Sequence, residues 1–156
     1  MHTERTKLFL DIDGVLLGKA NGRIALARGA SKFLRFVTAH FDCYWLTTHC
    51  QGNANTAQTY LRPYVCKGLF ETIKMIKPTC FNVLKTDALP KNGVFFWVDD
   101  RPLASELKFL EDNGLVSCLI RVDTYTNAEG LLECLDYLQR QFCLTTSDTP
   151  VIASKT

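Results

Sequence analysis

Residues 8–17, the most apolar stretch near the start of the chain, contain two carboxylates, Asp11 and Asp13. A second acidic pair, Asp99-Asp100, follows the run Val94-Phe95-Phe96-Trp97-Val98, and two hydroxyls, Thr47-Thr48, follow Tyr44-Trp45-Leu46. Carboxylates gathered in one place repel one another and a phosphate dianion, so they call for a hard cation, and an all-oxygen donor set suits Mg²⁺. The chemistry open to these residue types is then phosphoryl transfer. One aspartate attacks phosphorus in line to give an aspartyl phosphate, while a second protonates the leaving oxygen and later takes a proton from water. A free Asp titrates near about 3.9, so the second acid needs its proton affinity raised, which the charge of a bound phosphate does. Their spacing lets Asp11 and Asp13 flank one phosphate from a single strand end.

The elements that must bring these groups together are legible as four short apolar runs: Leu8-Phe9-Leu10, Tyr44-Trp45-Leu46, Val94-Phe95-Phe96-Trp97-Val98 and Val116-Ser117-Cys118-Leu119-Ile120. They are largely continuous, as expected for strands covered on both faces. Helical stripes lie between and after them: Phe33, Leu34 and Val37; Leu103, Leu107 and Leu110, ended by Asn113-Gly114; and Leu131, Leu135, Leu138 and Phe142. A helix is also expected from Ala54 to Leu61, started near Asn53 and stopped by Pro63, whereas 69–76 reads as a strand or an irregular connection. Strands alternating with helices predict an α/β, Rossmann-like three-layer sandwich around a mostly parallel sheet with right-handed crossovers. Residues 14–28 hold Asn21-Gly22, a hairpin signal, so the first strand runs into a turn-rich excursion before its helix. In such a sheet ligands bind beyond the carboxyl ends of the strands. Three of the four runs deliver acids or hydroxyls to that rim.

At these residues the sequence resembles the haloacid dehalogenase-like superfamily of Mg²⁺-dependent phosphohydrolases. The resemblance rests on Asp11-Ile12-Asp13-Gly14-Val15 after the first strand, Thr47 after the second, Lys85, and Asp99-Asp100 after the third. It spans residues 7 to 101, with a compatible strand and helix beyond. It implies that Asp11 is the nucleophile, Asp13 the acid/base and a backbone metal ligand, and Thr47 the hydrogen-bond donor to the phosphoryl group. Lys85 would steady nucleophile and phosphate, and Asp99 would hold the metal, with Asp100 supporting it directly or through water. Lys77-Pro78 is a rival for the lysine; Lys85 is preferred because it begins a segment shortly before the third strand. The family's cap domain is usually inserted after the first motif or between the second and third. Here those gaps hold only the 14–28 excursion and the residues between Thr48 and Lys85, so the resemblance implies a capless member. Dehalogenase chemistry, which has no use for a second acid at Asp13, is disfavoured.

Length and composition agree with one enzyme-sized unit. The chain has 156 residues, 47% hydrophobic and 22% charged, which suits one domain, expected over 1–143 with a flexible tail over 144–156. A net charge of +2 does not advertise nucleic acid or anionic membrane through bulk electrostatics. The local charge of Lys19, Arg23 and Arg28 lies on the excursion beside the site and suits a polyanionic substrate. Seven cysteines, none two residues from another, and three histidines fit neither a disulfide scaffold nor a zinc ribbon; free thiols in a reducing cytoplasm are the expectation. Asp11 and Asp13 interrupt the one N-terminal stretch apolar enough to suggest a signal peptide or a membrane span.

Rival readings of the same residues fail on detail. A calcium loop beginning at Asp11 meets glycine too early, at Gly14, and has Gly22 where a glutamate is required. Residues 14–20 mimic a phosphate-cradling loop but lack the Ser or Thr that would hold Mg²⁺. Cys134 and Arg140 match the spacing of thiol phosphatases, yet they sit on a leucine stripe with no glycine-rich loop. His49 reads as a polar loop residue at the rim, Arg101 as a helix-start residue, and Trp45 and Trp97 as core. The expectation is a Mg²⁺-dependent phosphomonoester hydrolase acting on a small molecule, a phosphoprotein or a nucleic-acid end. A non-catalytic module that binds Mg²⁺ and phosphorylated partners is the alternative.

Overall fold

A computed structural model describes residues 3–147. Strands β1 (Lys7–Leu10), β4 (Asp42–Trp45), β5 (Phe95–Asp99) and β6 (Leu119–Arg121) form one sheet in the order β4-β1-β5-β6, and every pairing in it is parallel. The 14–28 excursion is a two-stranded antiparallel hairpin, β2 (Leu17–Ala20) and β3 (Arg23–Leu26). Its turn places Asn21 and Gly22 at φ 52° and 75°, the left-handed pair that a tight hairpin needs.

Helices cover both faces. Successive strand residues point to opposite sides, so Leu8, Leu10, Trp45, Phe96 and Val98 pack against α1 (Ala30–His40), α3 (Lys67–Ile73) and α5 (Gly130–Ser147). Phe9, Leu46, Phe95 and Trp97 face the other way, into Phe81, Leu89, Leu115 and Leu110 of α4 (Ala104–Asp112). The architecture is therefore the three-layer α/β sandwich expected from the sequence, with no cap domain among the described residues. Each layer rests on the burial of large side chains: Trp45, Trp97, Phe33 and Phe95 are nearly inaccessible, and truncating such a residue to Ala costs roughly 3–5 kcal/mol.

Helix α2 (Ala54–Leu61) starts where expected, Asn53 accepting a hydrogen bond from the Asn55 N–H at 2.9 Å. Four local expectations need correction. Residues 69–73 are helical, because Leu69 and Ile73, four apart, bury one face of α3 against α1, and only 74–76 form an irregular turn. The run at 116–120 begins as a 3₁₀ turn, Val116–Cys118, and only from Leu119 does it pair with β5. Leu103 is half exposed and precedes α4, whose buried face is carried by Glu106 and Leu110. The expected tail from 144 is still helical to Ser147; 148–156 lie outside the described residues.

Candidate active site

Sheet register brings the acids together. Leu10 of β1 is level with Trp45 on one side and Val98 on the other, so the chain leaves all three strands at the same edge. The Asp11 N–H continues the ladder to the Val98 carbonyl at 3.0 Å, and the Leu46 N–H to the Leu10 carbonyl at 2.9 Å. Asp11 and Asp99 therefore emerge side by side. Lys85 reaches them from a 3₁₀ turn, Lys85–Ala88, that is tied to α4 by Glu106. One oxygen of this buried carboxylate accepts the Lys85 N–H at 2.6 Å and the other accepts the Leu103 N–H at 2.8 Å.

The Lys85 ammonium donates to Asp11 Oδ2 at 2.9 Å and to Asp99 Oδ2 at 2.5 Å. The remaining oxygens are also met: Asp11 Oδ1 accepts the Ile12 N–H at 2.8 Å and Asp99 Oδ1 the Arg101 N–H at 2.9 Å. Asp11, Asp99 and Asp100 each offer an oxygen within 4.8 Å of the others, a hard, anionic donor set that fits Mg²⁺. Gly14 completes the fit: at φ 72° it lies so close to Asp100 that any Cβ there would overlap the carboxylate.

Burial and crowding set the electrostatics. Burial first, then the charge of Asp99, pushes the Asp11 carboxyl up to about 7 against the opposing pull of Lys85. Burial and Asp99 likewise raise Asp100. For Lys85, burial disfavours the ammonium, but Asp11 and Asp99 outweigh it and hold its pKa above the ordinary lysine value. Three acids and one cation leave the cluster short of positive charge, which a divalent ion would supply.

Asp13 stands apart from that cluster, its carboxylate gripped by two residues that come from elsewhere. Tyr60 O–H of α2 donates to Oδ1 at 2.7 Å, and His49 Nε2 lies 2.7 Å from Oδ2. The hydrogen bond to Asp13 raises the Tyr60 phenol, so it stays a donor. A cavity of about 410 Å³ opens over these groups, lined by Asp11, Asp13, Lys85, Asp99 and Asp100. Thr48 lines it too, whereas Thr47 is fully buried and its hydroxyl accepts the His49 N–H at 3.3 Å. Phe81, Val83 and Leu103 form an apolar wall, and Arg101 and Tyr125 reach the mouth. Lys77, the rival lysine, pairs with Asp42 at 2.6 Å, at the amino end of β4 and away from the site. Of the three excursion cations, Lys19 lies over the Tyr125 ring at 5.2 Å and Arg28 pairs with Glu129.

Sequence reasoning missed Tyr60 and Glu106. Glu106 carries a signal, the acid in the first turn of a helix that caps its own N-terminus; Tyr60 carries none beyond its place in α2. The thiol-phosphatase coincidence dissolves, since Cys134 is buried in α5, its thiol pushed up to about 12 by burial, and Arg140 pairs with Asp136. All seven cysteines are free. Among the described residues no helix is long and apolar enough to cross a membrane. No protein-family model matches the chain, and no curated protein does.

Proposed function

We propose that this chain is a Mg²⁺-dependent phosphomonoester hydrolase of the haloacid dehalogenase-like type, working through an aspartyl phosphate on Asp11. The observation that carries the reading is Lys85 Nζ set between Asp11 and Asp99 at 2.9 and 2.5 Å, a cation delivered from a third segment to two buried acids. A purely structural pair has no need of three buried or half-buried carboxylates at the floor of an open cavity.

Asp11, Asp99 and Asp100 would hold Mg²⁺, which when bound neutralises phosphate charge and lets a carboxylate approach it. An oxygen of Asp11 attacks phosphorus; the bond to the ester oxygen breaks, and Asp13 gives that oxygen its proton. Water then attacks the acyl phosphate, Asp13 takes a proton back, and inorganic phosphate leaves with the Asp11 carboxylate restored. Lys85 holds the Asp11 carboxylate in place and favours its ionised form. Without a cap the cavity admits the phosphorylated end of a small molecule, a protein or a nucleic acid. Seven free thiols suit a reducing, cytoplasmic compartment.

The test is hydrolysis of p-nitrophenyl phosphate with Mg²⁺ and with EDTA. Mg²⁺-dependent release of phosphate is expected. A protein that binds Mg²⁺ and phosphorylated ligands without turnover contradicts the reading.

A further inference from the structure

Asp13 sits in the turn after β1, and its carboxylate is more than a third exposed. A carboxylate so placed is free to rotate unless something holds it. Here both oxygens are held by residues from separate segments: His49 from the loop after β4 and Tyr60 from α2. The two rings brace each other, stacked with centroids 3.7 Å apart and planes within 12°. The His49 backbone is fixed in turn by its N–H to Thr47 Oγ1. Neither ring lines the cavity that holds Asp11, Asp13 and Lys85; both instead border a shallow surface depression with Asn55, Thr56 and Thr59. They therefore hold Asp13 without lining the cavity it opens onto. A carboxylate has about four lone-pair directions, so one partner on each oxygen leaves a second direction open on each.

We propose that His49 and Tyr60 are positioning residues that aim Asp13 at the ester oxygen. This rests on the phosphatase reading. Tyr60 supplies a hydroxyl donor on a rigid helix, and His49 supplies an Nε2–H donor whose ring plane Tyr60 fixes by stacking. The two esters differ in the step in which the leaving oxygen gains a proton, which kcat/KM reads; the later proton abstraction from water is common to both esters and enters kcat. An alkyl phosphate, whose alkoxide leaves poorly, depends on a well-aimed acid, whereas p-nitrophenolate leaves without one.

The experiment compares Tyr60→Phe and His49→Gln with the parent on an alkyl phosphate and on p-nitrophenyl phosphate, with Mg²⁺ present throughout. Tyr60→Phe keeps the stacked ring and loses only the donor. Its kcat/KM on the alkyl ester should fall about ten-fold or more, with kcat/KM on p-nitrophenyl phosphate affected less than about two-fold. His49→Gln, which retains an amide donor, should be milder than His49→Ala. An independent readout needs no turnover. In the metal-free protein the His49 Nε2–H should give an exchange-protected NMR resonance that Asp13→Ala abolishes. Equal losses of kcat/KM on both esters, or an Nε2–H indifferent to Asp13, overturn the positioning role while the phosphatase reading stands. A parent protein inactive on both esters overturns that reading, and this proposal with it.

Discussion

Lys85 donates to Asp11 across 74 residues of sequence, at 2.9 Å and with both side chains largely sheltered from water. The same ammonium holds Asp99. A lysine in this position does two jobs that separate experimentally: it holds two mutually repelling buried acids side by side, and it steadies the group that attacks phosphorus.

Replacing Lys85 with Met keeps most of the volume and removes the charge. Uncompensated buried carboxylates typically cost roughly 3–5 kcal/mol, so metal-free K85M should unfold at markedly lower denaturant than the parent. Mg²⁺ should restore more stability to K85M than to the parent, because it then answers two acids that lack any other cation. Denaturant titration with EDTA and with Mg²⁺ measures both quantities; equal Mg²⁺ stabilisation of the two proteins would count against the cluster as a metal site.

Acid should stabilise the metal-free protein through Asp11. Its carboxyl is raised from 3.8 to about 7, so between those values the folded chain keeps a proton that the unfolded chain has released. That contribution is complete below about pH 4 and is lost as pH rises through 7. Mg²⁺ binds the ionised form and should flatten the dependence. Unfolding free energies at pH 5 to 8 in EDTA, for the parent and for Asp11→Asn, isolate the effect: the parent should lose stability relative to Asp11→Asn as pH rises. A constant difference contradicts it.

Gly14→Ala tests the backbone that cradles Asp100. The left-handed conformation alone costs an alanine roughly 1–3 kcal/mol, and the new methyl collides with the carboxylate. Mg²⁺ affinity should weaken roughly ten-fold or more, the usual penalty for disturbing a metal ligand's support. Isothermal titration reads the affinity and thermal unfolding the strain. Unchanged affinity would remove Asp100 from the donor set.

Much of this arrangement was legible beforehand because period and polarity agreed. Continuous apolar runs at 8–10, 44–46 and 94–98 marked strands buried on both faces, and the acids that follow them fell at one edge because parallel register is fixed by burial. The choice of Lys85 over Lys77 followed from proximity to β5. What the sequence hid depends on three-dimensional approach. Residues 69–76 lacked clear strand or helix punctuation, and only packing against α1 decides for α3. Leu103 looked like core by spacing, but the helix begins one residue later and Glu106 takes the inward position. His49 and Tyr60 were opaque because a histidine in a loop and a tyrosine on a short helix become partners only when the chain closes on Asp13.

In the proposed reaction Asp11 receives the phosphoryl group, and Asp11→Asn removes the nucleophile with almost no change in volume. Phosphate release from p-nitrophenyl phosphate in Mg²⁺, measured beside a circular dichroism spectrum matching the parent, is the direct test. Turnover should fall by about a thousand-fold or more, to background, in a folded protein. Hydrolysis at the parent's rate by folded D11N would rule out Asp11 as the nucleophile.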